Sequence, residues 1–206
     1  MNILVIAATT HELAFKRSVN VETLITGVGI PATIYHLQKK LQQNSYKFVI
    51  QAGIAGAFSN EFNLGQTVLV KQDCFGDLGT EEKGLFNTIF EAGLEDKNTL
   101  PYKNGWLYNN NDLLKNSELE LVKAVTINKV SDSVLQKQQL LQTYNPEIET
   151  MEGAAFHYVC LQENIPFVQI RSISNYVGER DKSKWKMADA ISSLSTEIEL
   201  LIKELS

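Results

Sequence analysis

Two short segments late in the chain carry residue types able to grip a polar small molecule. Thr150-Met151-Glu152-Gly153-Ala154-Ala155 puts an acid at the head of an apolar, helix-forming run that continues to Leu161. Arg171-Ser172-Ile173-Ser174-Asn175 ends the apolar run Phe167-Val168-Gln169-Ile170 in a cluster of hydrogen-bonding side chains. In an α/β fold, helix starts and strand ends collect on the ligand-binding edge of the sheet. A carboxylate at Glu152 suits sugar hydroxyls, and a carboxamide at Asn175, with Ser174 beside it, suits the edge of a base.

Three further features precede these. Glu12, in Thr9-Thr10-His11-Glu12-Leu13, stands just beyond the first strand-like run. Gly27-Val28-Gly29-Ile30-Pro31-Ala32 and Gly53-Ile54-Ala55-Gly56 are small-residue turns after strands. Such turns let backbone N–H groups approach a ligand, so Gly53 and Ile54 are expected at the floor of a site. The first turn also fits G-x-G-x-x-A, the dinucleotide fingerprint. It follows the second strand rather than the first, however, and Val49-Ile50-Gln51, about 20 residues on, offers no acid for a ribose. Each acid also has a plainer reading, as a first-turn residue offsetting a helix dipole. Asn175 read alone is a turn residue.

The elements that must position these residues alternate between short apolar runs and helical periodicity, the pattern of a mixed α/β layer fold. Strands are expected over 2–8, 21–26, 48–53, 67–72, 124–130 and 167–174. Helices are expected over 11–17, 31–43, 135–142, 151–163 and 186–205. The last carries Ile191, Leu194, Ile198, Leu201, Ile202 and Leu205 on one face, a stripe that packs on a core. Between 73 and 116 the periodicity fails, and this aromatic-dotted stretch reads as a long loop that covers something. A chain of 206 residues, with no repeat or linker, reads as a single domain, a twisted mixed β-sheet flanked by helices.

Composition narrows the partners. A formal net charge of -5, with no basic run, argues against nucleic acid. No apolar stretch reaches the roughly 18 residues a membrane span needs, and the opening run Ile3-Leu4-Val5-Ile6-Ala7-Ala8 reads as a strand rather than a leader. Cys74 and Cys160 are far apart, as are His11, His36 and His157, and neither set has metal-ligand spacing. No metal and no organic cofactor is expected, and a reduced, cytoplasmic setting fits.

Taken in order, Glu12, the two glycine turns, Met151-Glu152-Gly153-Ala154-Ala155 and Arg171-Ser172-Ile173-Ser174-Asn175 resemble the purine nucleoside phosphorylase and nucleosidase superfamily nearly end to end. Within it, Asp77-Leu78-Gly79-Thr80-Glu81 and the tail Ser174-Asn175-Tyr176-Val177-Gly178-Glu179-Arg180-Asp181-Lys182-Ser183-Lys184-Trp185 resemble the futalosine hydrolases of the alternative route to menaquinone. The resemblance implies cleavage of a ribosyl C1′–N9 bond by water, releasing hypoxanthine. It gives Glu12 the attacking water, Glu152 the ribose 2′- and 3′-hydroxyls, and Met151 a packing surface under the sugar. Asn175 stands where adenine-releasing members keep an aspartate. A carboxamide there can donate to O6 and accept from N7–H of a departing hypoxanthine.

The resemblance also brings the turn 131–134 to the base, with Val134 the expected contact. For the carboxyphenyl end of futalosine, an aromatic wall is expected from Phe75 and the loop 75–86, and a cation from Arg180, Lys182 or Lys184. Superfamily members commonly complete that end with a neighbouring subunit, so a homo-oligomer is expected. The rival enzymes are a phosphorylase and an adenine-releasing methylthioadenosine or S-adenosylhomocysteine nucleosidase. A phosphorylase needs cations for phosphate. The three arginines, Arg17, Arg171 and Arg180, fall outside the first-strand loop and both glycine turns, where such phosphorylases keep them. A non-catalytic nucleoside-binding module would keep Glu152 but have no need of Glu12.

Overall fold

The computed structural model describes residues 2–16, 19–130 and 132–205. In chain order the strands are β1 (Ile3–Ala7), β2 (Val21–Ile25), β3 (Phe48–Ala57), β4 (Thr67–Asp73), β5 (Gly79–Glu82), β6 (Leu85–Thr88), β7 (Leu107–Tyr108), β8 (Glu120–Thr126), β9 (Ile148–Thr150) and β10 (Phe167–Tyr176). The helices are α1 (Ile30–Gln43), α2 (Leu113–Asn116), α3 (Val134–Tyr144), α4 (Gly153–Gln162) and α5 (Met187–Glu204).

The main sheet is mixed and turns on β3, whose ten residues are long enough to serve three neighbours. Along one edge β10 runs parallel to it over nearly its whole length. Along the other, β1 pairs with residues 48–51 in parallel, and β9 pairs with Gly56 and Ala57 in antiparallel. From β10 the sheet continues through β4 and β8 back to β9, closing a ring on β3, while β1 and β2 extend as an open flap. Because β1 leaves β3 after Gln51 and β9 joins it only at Gly56, the C-terminal half of β3 stands at a meeting point of strand ends.

Apolar alternation explains which face each helix covers. Leu194, Ile198, Leu201 and Ile202 of α5 pack with Ile3, Val5, Ile50 and Ile170 on one face. On the other, Phe156, Val159 and Cys160 of α4 join Leu37 of α1 and Leu4, Ile6 and Val49. Helix α4 is sandwiched and mostly buried, as its apolar run requires.

Several expectations need correction. The helix expected over 11–17 is a single 3₁₀ turn, Thr10–Leu13, capped at its start where the Glu12 side chain folds back on Thr9 and ended at Ala14; Arg17 lies outside the described residues. The strand expected over 124–130 runs instead over Glu120–Thr126, set by its pairing with β4 and β9. The stretch 73–116 is not one loop. It contains the β5–β6 hairpin, closed at Lys83 and Gly84 with φ of 54° and 80°, then β7 and α2. Positive φ at both central residues is the hairpin geometry that matches strand twist.

Candidate active site

Glu152 occupies the N-cap position of α4 and is buried, although its helix start is a common place for an exposed acid. Its Oε1 accepts the Gly29 N–H at 2.9 Å. That donor is aimed by the glycine turn, where Gly27 and Gly29 take φ of 83° and 90°, the left-handed region that favours glycine. Its Oε2 lies 4.0 Å from Nη1 of Arg171, which is almost fully buried in the middle of β10. Burial raises the Glu152 carboxyl above the usual range; the Arg171 charge and the Gly29 N–H pull it back, and the nearby Glu12 charge pushes it up.

Glu12 is also buried, held by a local clamp. Its Oε2 accepts from both the N–H and the hydroxyl of Thr9 at 2.9 Å, and Oε1 accepts the Ile54 N–H at 3.3 Å. Arg171 is fixed from behind by donating through Nη2 to Gln51 Oε1 at 2.7 Å. Gly53 makes room for this cation: a methyl there would stand 1.8 Å from Arg171 Nη1 and 3.3 Å from Glu12 Oε1. The buried Arg171 guanidinium thus stands beside Glu152 and offsets part of the repulsion that Glu152 feels from the Glu12 charge.

Asn175 is presented by an irregularity in β10. The register with β3 shifts between Ile173 and Asn175, so that Asn175 lies opposite Gly56. Such a bulge re-aims a side chain. Asn175 Oδ1 accepts the Ser174 hydroxyl at 2.8 Å, and Nδ2 donates to the Tyr176 carbonyl at 3.1 Å. This leaves one amide hydrogen and one carbonyl lone pair free for a ligand.

These groups open into one cleft of about 590 Å³, lined by Thr9, Glu12, Val28, Ile54, Met151, Glu152, Ser174 and Asn175, and by Glu149, Val130, Arg180, Lys182, Trp185, Met187 and Ile191. Glu12, Ile54, Met151, Glu152, Ser174, Asn175 and Arg180, scattered over more than 160 positions, are therefore brought together, with Gly53 beneath. Among the described residues no group of three or more His, Cys, Asp or Glu is placed to hold a metal ion.

Two expected contacts are not brought to the cleft. Val134 starts α3 and is 68% exposed, because β8 ends earlier than expected; Val130 lines the cleft instead, and Ser131 lies outside the described residues. Phe75 packs toward Tyr158 with ring centroids 6.3 Å apart, in a small separate pocket shared with Phe90, Tyr102 and Tyr144. The aromatic wall of the cleft is Trp185. Arg180 sits over its ring, 5.7 Å from the centroid, whereas Lys184 is engaged outward with Glu179 at 2.6 Å.

Sequence reasoning did not assign Arg171 or Glu149 to the site. An arginine inside an apolar strand run was the available signal for the first, since a buried guanidinium needs carboxylate partners. Glu149, in the three-residue β9, is 8% exposed, and burial pushes its carboxyl up to about 7 despite the opposing charges of Arg180 and Lys137.

Residues 8–205 match the family model described as the phosphorylase superfamily. The futalosine hydrolase of Thermus thermophilus is 30% identical over 185 residues, 88% of this chain and 80% of that protein. The futalosine hydrolase of Streptomyces coelicolor is 26% identical over 161 residues, covering 75% of this chain and 65% of the relative. Among solved structures, a Helicobacter pylori 5′-methylthioadenosine/S-adenosylhomocysteine nucleosidase superposes with a TM-score of 0.79 at 13% identity, over 98% of this chain and 97% of that one. The native futalosine hydrolase of Helicobacter pylori superposes at 0.75 and 14% identity, over 97% of this chain and 94% of that one.

Proposed function

We propose that this chain, which belongs to the phosphorylase superfamily, is a nucleosidase that hydrolyses futalosine to hypoxanthine and dehypoxanthine futalosine, a step in menaquinone biosynthesis. The observation that carries this reading is the convergence of two buried carboxylates, Glu12 and Glu152, and a carboxamide, Asn175, on one cleft.

Glu152 accepts hydrogen bonds from the ribose 2′- and 3′-hydroxyls, with Met151 packed beneath the sugar. Charge-assisted bonds are roughly twice as strong as neutral ones, and the same negative charge favours positive charge developing at C1′. Glu12, oriented by Thr9 and the Ile54 N–H, takes a proton from a water that attacks C1′. The C1′–O bond forms as C1′–N9 breaks, and the bonding pair leaves with the base. The base takes a proton from solvent at N7. The free amide hydrogen of Asn175 donates to O6 and its free lone pair accepts N7–H.

The carboxyphenyl end is assigned to the side of the cleft formed by Trp185, Met187 and Ile191, with Arg180 or Lys182 as the cation. A broader groove of about 800 Å³ adjoins this side through His11, Met187 and Ile191. This supports a homo-oligomer whose neighbouring subunit completes that end. Both cysteines are free and buried, which suits a reducing cytoplasm, and no described helix is long and apolar enough to cross a membrane.

Incubation with futalosine, inosine and 5′-methylthioadenosine in parallel, followed by chromatography of the released base, tests the reading. It predicts hypoxanthine from futalosine as the fastest reaction. Preferential release of adenine from 5′-methylthioadenosine would overturn it.

A further inference from the structure

Glu149 has no part in the mechanism above, yet it is placed like a ligand contact. It is more than nine-tenths buried, lines the cleft, and its carboxylate makes no hydrogen bond with any described residue. In the β3–β9 pairing it stands opposite Gly56, and a methyl on Gly56 would lie 3.3 Å from Nδ2 of Asn175. Glu149 and Asn175 therefore flank Gly56 from its two sides, and both line the base end of the cleft.

Asn175 alone cannot tell a 6-oxopurine from a 6-aminopurine. Its one free donor and one free acceptor match O6 and N7–H of the first. With the amide turned over they match N7 and the 6-amino group of the second, at the cost of the bond to the Tyr176 carbonyl, while the Ser174 hydroxyl can turn to accept. The two bases differ unambiguously at the next position along the edge. A 6-oxopurine carries a donor, N1–H, where a 6-aminopurine carries a lone pair. A carboxylate facing that atom makes a charge-assisted bond to the first and repels the second.

We infer that Glu149 is the specificity-determining residue of the base pocket, its carboxylate accepting N1–H of a 6-oxopurine. The inference rests on the reading of the substrate as a hypoxanthine nucleoside. The charges that act on the carboxylate are Arg180 after β10, Lys137 on α3 and Asp77 after β4, two of them favouring the ionised form. Burial in the absence of a donor raises it to about 7, and an N1–H is the donor that the site lacks among its own residues.

The test is equilibrium binding of hypoxanthine, 1-methylhypoxanthine and adenine to the wild-type protein and to Glu149→Gln. Wild type is expected to bind hypoxanthine at least about tenfold more tightly than either other base, the worth of one hydrogen bond to a charged acceptor. In Glu149→Gln, whose carboxamide can accept from N1–H or donate to N1, the preference over adenine is expected to shrink to within about threefold. Equal wild-type affinity for hypoxanthine and 1-methylhypoxanthine, or an undiminished preference in the variant, would overturn the inference. Should the variant not fold, the wild-type comparison of hypoxanthine with its N1-methyl form decides alone. Failure of wild type to cleave futalosine would instead overturn the proposed function, while these affinity ratios would still decide the role of Glu149.

Discussion

At the scale of single residues, two carboxylates in one cleft are separated by their partners rather than by their chemistry. Glu12 is clamped by neutral donors from Thr9 and Ile54, whereas Glu152 faces a backbone N–H and the Arg171 guanidinium. Glu12→Gln keeps the shape of the clamp but removes the base. Steady-state kinetics on futalosine should show kcat lower by about 10²- to 10⁴-fold with the Michaelis constant nearly unchanged. Glu152 works in its ionised form, and its pKa is raised by burial. The rate is therefore lost as pH falls through that raised value, so the acid limb of kcat/KM should lie above 4.5, the ordinary glutamate value. In Glu152→Gln the limb should shift and the remaining rate should be less sensitive to acid. An acid limb unchanged by that substitution would assign it to another group.

At the scale of elements, what the sequence made legible were the pieces with strong periodicity: β1, β3, α1, α4, α5 and the apolar part of β10. The glycine turns were legible as close approaches, though not what approaches. Gly29 aims its N–H at Glu152, and Gly53 leaves space for Arg171. The β5–β6 hairpin was hidden because its turn is Lys83-Gly84, not a familiar asparagine–glycine pair, and its strands are mostly exposed or half-buried. The bulge that presents Asn175, and the three-residue β9 that carries Glu149, depend on pairing across the ring and leave no periodicity to read. Gly53→Ala tests the element-scale account. The methyl would collide with Arg171 Nη1, so thermal melting should show a loss of about 1–3 kcal/mol, and kcat/KM should fall with it. Wild-type stability and activity in this variant would mean that Arg171 is free to move aside.

At the scale of the whole molecule, a second buried polar cluster lies behind α4. Asp73 Oδ1 accepts from the Thr126 hydroxyl at 3.0 Å and the Cys74 N–H at 2.8 Å, while His157 Nδ1 is 3.0 Å from the Leu107 carbonyl oxygen. Burial pushes Asp73 up from 3.8 to about 7 and His157 down from 6.5 to about 4. The two act oppositely on stability. The raised aspartate contributes stability that is present below pH 3.8 and is lost as pH rises through about 7. The lowered histidine contributes stability that is present above 6.5 and is lost as pH falls through about 4. Asp73→Asn removes the first trend and leaves the second. Its melting temperature should rise with pH between about 4 and 6.5 more steeply than that of wild type. A parallel pair of pH profiles would mean that Asp73 is ionised throughout this window.

The claim on which the rest depends is that water, not phosphate, attacks C1′. The direct measurement is mass analysis of the sugar product of futalosine cleavage at phosphate concentrations from zero to well above the physiological range. The account predicts a free C1′ hydroxyl on the product and a rate indifferent to phosphate. A sugar 1-phosphate, formed at a rate that rises with phosphate, would contradict it and remove Glu12 from the chemistry.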